Sequence, residues 1–212
     1  MSAHTPPLDL PALWQSLSAS RRQDAIDWLG VGEVSVHLGD LSIVETRLPG
    51  IWLDAGELVV GEFPELALRA MAALPVPAIA ELPVNVTSAA GTMSADPLLA
   101  EVRSHAAALA SASEYRELID LSRLPVNRAD IEYLHQVLGA GPVSAVVTSD
   151  GECRVRSTSI PGVWWVVYFD GEEREVLTTL EIARVPAIAL ATGDELSASK
   201  GELVDYLGAG DA

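Results

Sequence analysis

One stretch of this chain is written twice, and a duplication constrains the fold more than any single motif because it sets how many units must be built. Leu29-Gly30-Val31-Gly32-Glu33-Val34-Ser35 returns as Leu138-Gly139-Ala140-Gly141-Pro142-Val143-Ser144, 109 positions later. Leu48-Pro49-Gly50-Ile51-Trp52 returns as Ile160-Pro161-Gly162-Val163-Trp164 at an offset of 112. Phe63-Pro64-Glu65-Leu66-Ala67-Leu68 returns as Val185-Pro186-Ala187-Ile188-Ala189-Leu190 at 122. The order is kept while the offset grows. Longer hairpin loops in the second copy would cause that, with Ser149-Asp150-Gly151 and Asp170-Gly171-Glu172 as turn residues.

Each copy reads as a helix followed by an antiparallel β-meander. In the first, Ser20 and Gln23 form a candidate capping box, and Gly30 stops a helix that runs to Leu29. In the second, Asn127 is the cap, Ile131, Leu134 and Leu138 mark an apolar face, and Gly139 is the stop. Val34, Val36 and Leu38 alternate with polar neighbours, and a Gly39-Asp40 turn leads into a second strand over 43–47. Residues 163–169 are apolar on both faces and predict a strand covered on each side, with 175–184 as its long partner. Leu74-Pro75-Val76-Pro77 ends a helix, 81–95 has the composition of a linker, and Asp96-Pro97 opens a helix to about 110. The expected fold is α+β, with two repeated units over 1–80 and 96–212 packed as a pseudo-symmetric pair, since each alone has little core.

Charge narrows the partners. Thirty Asp and Glu against 13 Lys and Arg give −17 at pH 7, which disfavours nucleic acid and an anionic membrane surface. No apolar run approaches the roughly 20 residues of a membrane span, and the N-terminus lacks the basic and apolar segments of a secretory signal, so a cytoplasmic location is expected. The single cysteine, Cys153, excludes an internal disulfide and a thiolate-rich metal site.

The residues with chemical potential are few, and the duplication supplies a control for each. Glu132 and His135 have the Glu-x-x-His spacing of a di-iron ligand pair, but such a site needs two pairs, and the position matching His135 is Ile26. A half-buried structural histidine is the better reading. His37 matches Val146 and reads as a strand residue; His105 sits in an alanine-rich helix and His4 in a terminal segment. Arg154 and Arg156 beside Cys153 would favour a thiolate, yet no base for a nucleophile is identifiable, and a small strand residue is favoured. No nucleophile elbow, phosphate loop or dinucleotide fingerprint occurs. No cofactor, metal or catalytic residue is therefore assigned. Trp52 and Trp164 follow Pro-Gly in both copies and read first as core, with a binding role as the second reading. Trp165 points to the opposite face from Trp164, where it either packs under a helix or meets a partner.

With these residues in view, LIDLSRLPVNRADIEYLHQVLGAGPVSAVV, VRSTSIPGVWWVVYFDGEE and LEIARVPAI resemble the C-terminal region of the HupH/HyaF hydrogenase accessory proteins, and LGVGEVSVHL with VETRLPGIW is similar to their upstream half. The similarity covers roughly residues 20–195. It departs from the family where acidic residues are usual at Val31 and Ala140, and Glu is common at Pro142 and Ser157. The resemblance implies a non-enzymatic maturation factor for nickel-iron hydrogenases, binding the iron-sulfur small-subunit precursor before export and other maturation factors besides. Partner-binding candidates are Glu33, Glu45, Gly50, Trp52, Gly162, Trp164 and Trp165. Asp24 and Asp27 join Glu33 and Glu45 as acids able to hold the paired arginines of an export signal, with plain solubility as the competing explanation of the charge. A ligand-binding protein with a pocket between the copies is the alternative.

Overall fold

Helix boundaries follow the caps. The computed structural model describes residues 9–74, 91–149 and 151–209; His4, Asp150, most of the predicted linker and Pro75-Val76-Pro77 lie outside them. Helix α1 (Leu10–Ser16) starts at Asp9, whose carboxylate accepts the Ala12 N–H. Helix α2 (Ala19–Leu29) is capped by Ser18 and stopped at Gly30, so Ser20 lies inside the helix rather than capping it. Either serine has the right chemistry. The one a residue before the helix can accept from the Arg21 N–H.

Strands β1 (Val34–Leu38), β2 (Leu41–Glu45), β3 (Ile51–Asp54) and β4 (Glu57–Val60) form the first meander, followed by α3 (Glu65–Ala72). Helix α4 (Ala95–Ser111) begins one residue before Asp96, which is therefore not its cap. The carboxylate of Asp130 takes that role from outside, accepting the N–H groups of Met93, Ser94 and Ala95. Then come β5 (Glu117–Asp120), α5 (Arg128–Leu138) between Asn127 and Gly139, and the second meander, β6 (Val143–Thr148), β7 (Glu152–Ser157), β8 (Val163–Phe169) and β9 (Glu175–Ile182). A 3-10 turn (Ala187–Ala189) leads to α6 (Gly193–Gly208). Among the described residues α1, β4, β5 and α6 were not named from sequence, although Thr192 and Glu195 form a capping box at the start of α6.

The nine strands of the described residues form one antiparallel sheet in the order β4-β3-β2-β1-β6-β7-β8-β9-β5. The meanders join edge to edge through β1 and β6, with Val36 opposite Ala145, Val34 opposite Val147 and Leu38 opposite Val143.

Successive strand residues point to opposite faces, which sorts the core into three parts. One face is shared. Val34, Val36, Ile43 and Trp52 from the first meander and Val143, Ala145, Val155 and Trp164 from the second lie under α3 and the 3-10 turn. On the other face the cover is divided. Helices α4 and α5 bury Val163, Trp165, Leu180 and Ile182, while α1, α2 and α6 bury Ile51 and Leu58. Thus α4 lies over the second meander and α6 returns to cover the first. As expected, β8 is covered on both faces.

Candidate functional site

The duplicated motifs build two corners. At each, a glycine lets the chain pass against another backbone: an added Cβ would lie 2.2 Å from the Thr46 carbonyl oxygen at Gly32 and 2.2 Å from that of Thr158 at Gly141. The Gly32 N–H donates to the Glu45 carbonyl at 2.7 Å, and that of Gly141 to the Ser157 carbonyl at 2.9 Å. Thr46 and Thr158 then close the Pro-Gly turns, each hydroxyl donating to the carbonyl and accepting from the N–H two residues on. Gly50 and Gly162 take φ of +77° and +76°. The tryptophans that follow are 0% exposed and donate Nε1–H to the carbonyls of Gly61 (2.8 Å) and Ala183 (3.0 Å).

These positions decide what each predicted partner-binding residue can do. Trp52 and Trp164 have their rings inside the shared core, so neither indole reaches a partner directly; each fixes the far end of its corner. Gly50 and Gly162 receive helices, the first against Leu196 of α6 and the second against Leu109 of α4. Trp165 takes the first of its two options: it is 4% exposed and lies beneath the His135 ring of α5, with centroids 4.0 Å apart.

The corners differ in charge. At the first, Glu45 is 7% exposed and accepts the Gly50 N–H at 2.8 Å. Burial pushes its carboxyl above the usual range, the Gly50 N–H opposes that, and the nearby Glu195 and Glu33 add to the rise. Glu33 and Glu195 are exposed, Glu195 being held by Thr192. Glu45 is therefore a structural carboxylate, and Glu33 presents the open charge. Asp24 and Asp27 are exposed along α2, where Asp27 accepts from Gln23. Sequence reasoning missed Glu195, because only α6 folding back brings it to this corner.

At the second corner the matching residues are Pro142 and Ser157, and the Ser157 hydroxyl is engaged with the N–H and carbonyl of Val143. Beside it opens a cavity of about 270 Å³ with a mixed polar and apolar lining, walled by the Gly139–Val143 loop. Its floor is one cross-strand row set by register: His37 opposite Ser144, Ser144 opposite Arg156, Arg156 opposite Trp165. His135 closes one side, its pKa lowered by burial and then by Arg156. His37 and His135, read from sequence as unrelated structural residues, thus share one cavity. Arg156 carries no hydrogen bond or ion pair among the described residues, and the buried Trp165 Nε1–H has no acceptor. A larger apolar groove of about 440 Å³ lies between Leu68 and Met71 of α3, Ala106 and Leu109 of α4, and Pro161-Gly162.

The remaining candidates are inert. Cys153 is buried with its pKa pushed up to about 11, first by burial and then by Glu181 against a Tyr168 hydrogen bond. Arg154 and Arg156 point from the other face, so they do not activate it. Glu132 pairs with Arg128, and His105 with Tyr115. Among the described residues no group of three or more His, Cys, Asp or Glu is placed to hold a metal, and no helix is long and apolar enough to cross a membrane.

Comparison with known proteins supplies a context. Residues 92–209 match the family described as HupH hydrogenase expression protein, C-terminal conserved region. The chain is 35% identical over 182 residues to hydrogenase expression/formation protein HupQ of Azotobacter chroococcum mcd 1, which covers 81% of this chain and 64% of that protein. It is 29% identical over 199 residues to hydrogenase expression/formation protein HupH of Rhodobacter capsulatus, covering 90% and 70%. A solved structure, hydrogenase expression protein HupH from Thiobacillus denitrificans ATCC 25259, is 31% identical with a TM-score of 0.49, covering 56% of this chain and 98% of that one. The chain thus spans 64% of the length of the first of these relatives.

Proposed function

Because this chain belongs to the HupH family of hydrogenase expression proteins, we propose that it is a non-catalytic accessory protein of nickel-iron hydrogenase maturation that holds the iron-sulfur small-subunit precursor in the cytoplasm before export. A role in hydrogenase formation goes with the family. The client is the finer step, and the observation that carries it is the acidic corner, where Glu33 stands open beside Glu45 and Glu195 in a chain of −17. Such a surface attracts guanidinium groups through charge-assisted hydrogen bonds and speeds encounter with a basic segment.

The test is salt dependence. Binding of precursor is expected to weaken at least about tenfold between roughly 50 and 500 mM salt as screening shortens the reach of exposed charges. It should weaken further when lysines replace the signal arginines or when Glu33→Gln is introduced. Equal, salt-independent binding of precursor and signal-less mature subunit would reject the proposal.

Within this reading the two meanders are repeated units related by a pseudo-two-fold between β1 and β6. Support comes from Val36, which pairs with Ala145, its own counterpart at 109, and from the matched hydrogen bonds of the two corners. A crystal structure in which the backbones around Trp52 and Trp164 fail to superpose would overturn that arrangement. A role in binding an apolar ligand is favoured by the groove between α3 and α4; a thermal-shift screen finding a stabilising apolar ligand is its test.

A further inference from the structure

The sequence duplication offers an internal control for the cavity at the second corner. In the first meander the matching row runs Val146 opposite Ser35, Ser35 opposite Val44, Val44 opposite Leu53. The pairings are the same, but where the second row has His37, Arg156 and Trp165 the first has Val146, Val44 and Leu53. His135 on α5 corresponds to Ile26 on α2. The sheet therefore does not require basic groups at these places, since one copy is built with aliphatic residues. The acids move the opposite way. Glu33 and Glu45 of the first corner correspond to Pro142 and Ser157 of the second.

From this inversion we infer that the second corner is a binding site for a compact oxyanion, a carboxylate or phosphate group, held by Arg156 with His37, His135 and Ser144. The chain carries −17, and of its 13 basic residues most are neutralised on the spot: Arg22, Arg47, Arg69, Arg123, Arg128, Arg154 and Arg174 each meet a carboxylate. Arg156 meets none. It stands in the middle of the sheet, in register with Ser144 on one side and Trp165 on the other. A planar fork of N–H donors left open in this way matches two oxygens of one carboxylate or phosphate. The 270 Å³ of space limits the ligand to a small molecule or the end of a longer one. The Gly139–Pro142 loop, locked by the Gly141 N–H to the Ser157 carbonyl, holds the wall in place without the ligand.

The experiment is two-dimensional ¹H–¹⁵N NMR of the full chain during titration with sodium phosphate and, separately, sodium acetate, with sodium chloride keeping ionic strength constant. The expected result is saturable shifts confined to residues 139–143, the strands through His37 and Arg156, and the Trp165 indole N–H. Arg156→Gln should weaken binding about tenfold or more, and His37→Gln by a smaller factor. Arg154→Gln, on the same face one step along β7 but paired with Glu152, should leave it unchanged. The acetate and phosphate arms tell which oxyanion the cavity prefers, and saturation with either supports the site. Shifts that rise linearly with both salts, that spread over the surface, or that persist undiminished in Arg156→Gln overturn it.

Discussion

Asp130 is 0% exposed, yet it stays charged because backbone N–H groups surround it. Burial pulls its pKa upward, but the N–H groups of Asn127, Ser94, Met93 and Ala95 outweigh that, and the net shift is downward. One carboxylate thus caps both α5 and α4, the second across 35 residues of chain. Since the folded pKa lies below the unfolded one, this group's contribution to stability is complete above the usual carboxylate range. It is lost as pH falls through the lowered value. Asp130→Asn is expected to cost on the order of 3 kcal/mol at pH 7, from charge-assisted bonds lost or weakened. Urea unfolding should show the gap to wild type closing as pH falls below the usual carboxylate range and wild type itself protonates; a gap independent of pH would contradict the assignment. Part of this was legible, because Asn127-x-x-Asp130 is a capping-box spacing. The bonds to residues 93–95 were not, since nothing local says that two helix ends meet.

The corners are where an element's sequence and its packing have to agree. Gly162 needs φ of +76°, and an added Cβ would sit 2.3 Å from Leu109 Cδ2 and 3.2 Å from the Ala183 carbonyl oxygen. Gly162→Ala should therefore cost about 1–2 kcal/mol for the backbone conformation alone, and more as α4 is pushed off the second meander. Gly171→Ala meets nothing within 4 Å and should stay within roughly 0.5 kcal/mol of wild type in the same urea titration. Similar losses for both would mean that close packing on α4 is unimportant. At this scale the strands were readable from alternation and the helix stops from glycine. The C-terminal helix was missed despite Thr192-x-x-Glu195, because its buried residues, Ser199, Leu203 and Leu207, form a thin apolar stripe whose partners lie in another part of the chain.

Across the whole molecule the two meanders are tied by the β1–β6 ladder and by the shared core under α3, and α6 returns from the second to cover the first. Leu203 of α6 is fully buried against the first meander, so Leu203→Ala should cost about 2–5 kcal/mol. Hydrogen exchange is the informative measurement: protection should fall in β3 and β4, some 150 residues away in sequence. Faster exchange confined to α6 would show that the C-terminal helix is not integral to the first meander. By itself the sequence determined that three short motifs recur in the same order, where their glycine turns fall, which strand is covered on both faces, and that no thiolate or histidine cluster is written locally. Those properties depend on nearest neighbours and on period. Only the tertiary structure decided that one sheet runs through both meanders, that the C-terminal helix returns to the first, and that His37, His135 and Arg156 share a cavity. The physical reason is that strand pairing and helix docking are settled by surfaces far apart in the chain. A one-residue change in the β1–β6 register would have turned His37 to the opposite face from Ser144 and left no row at all.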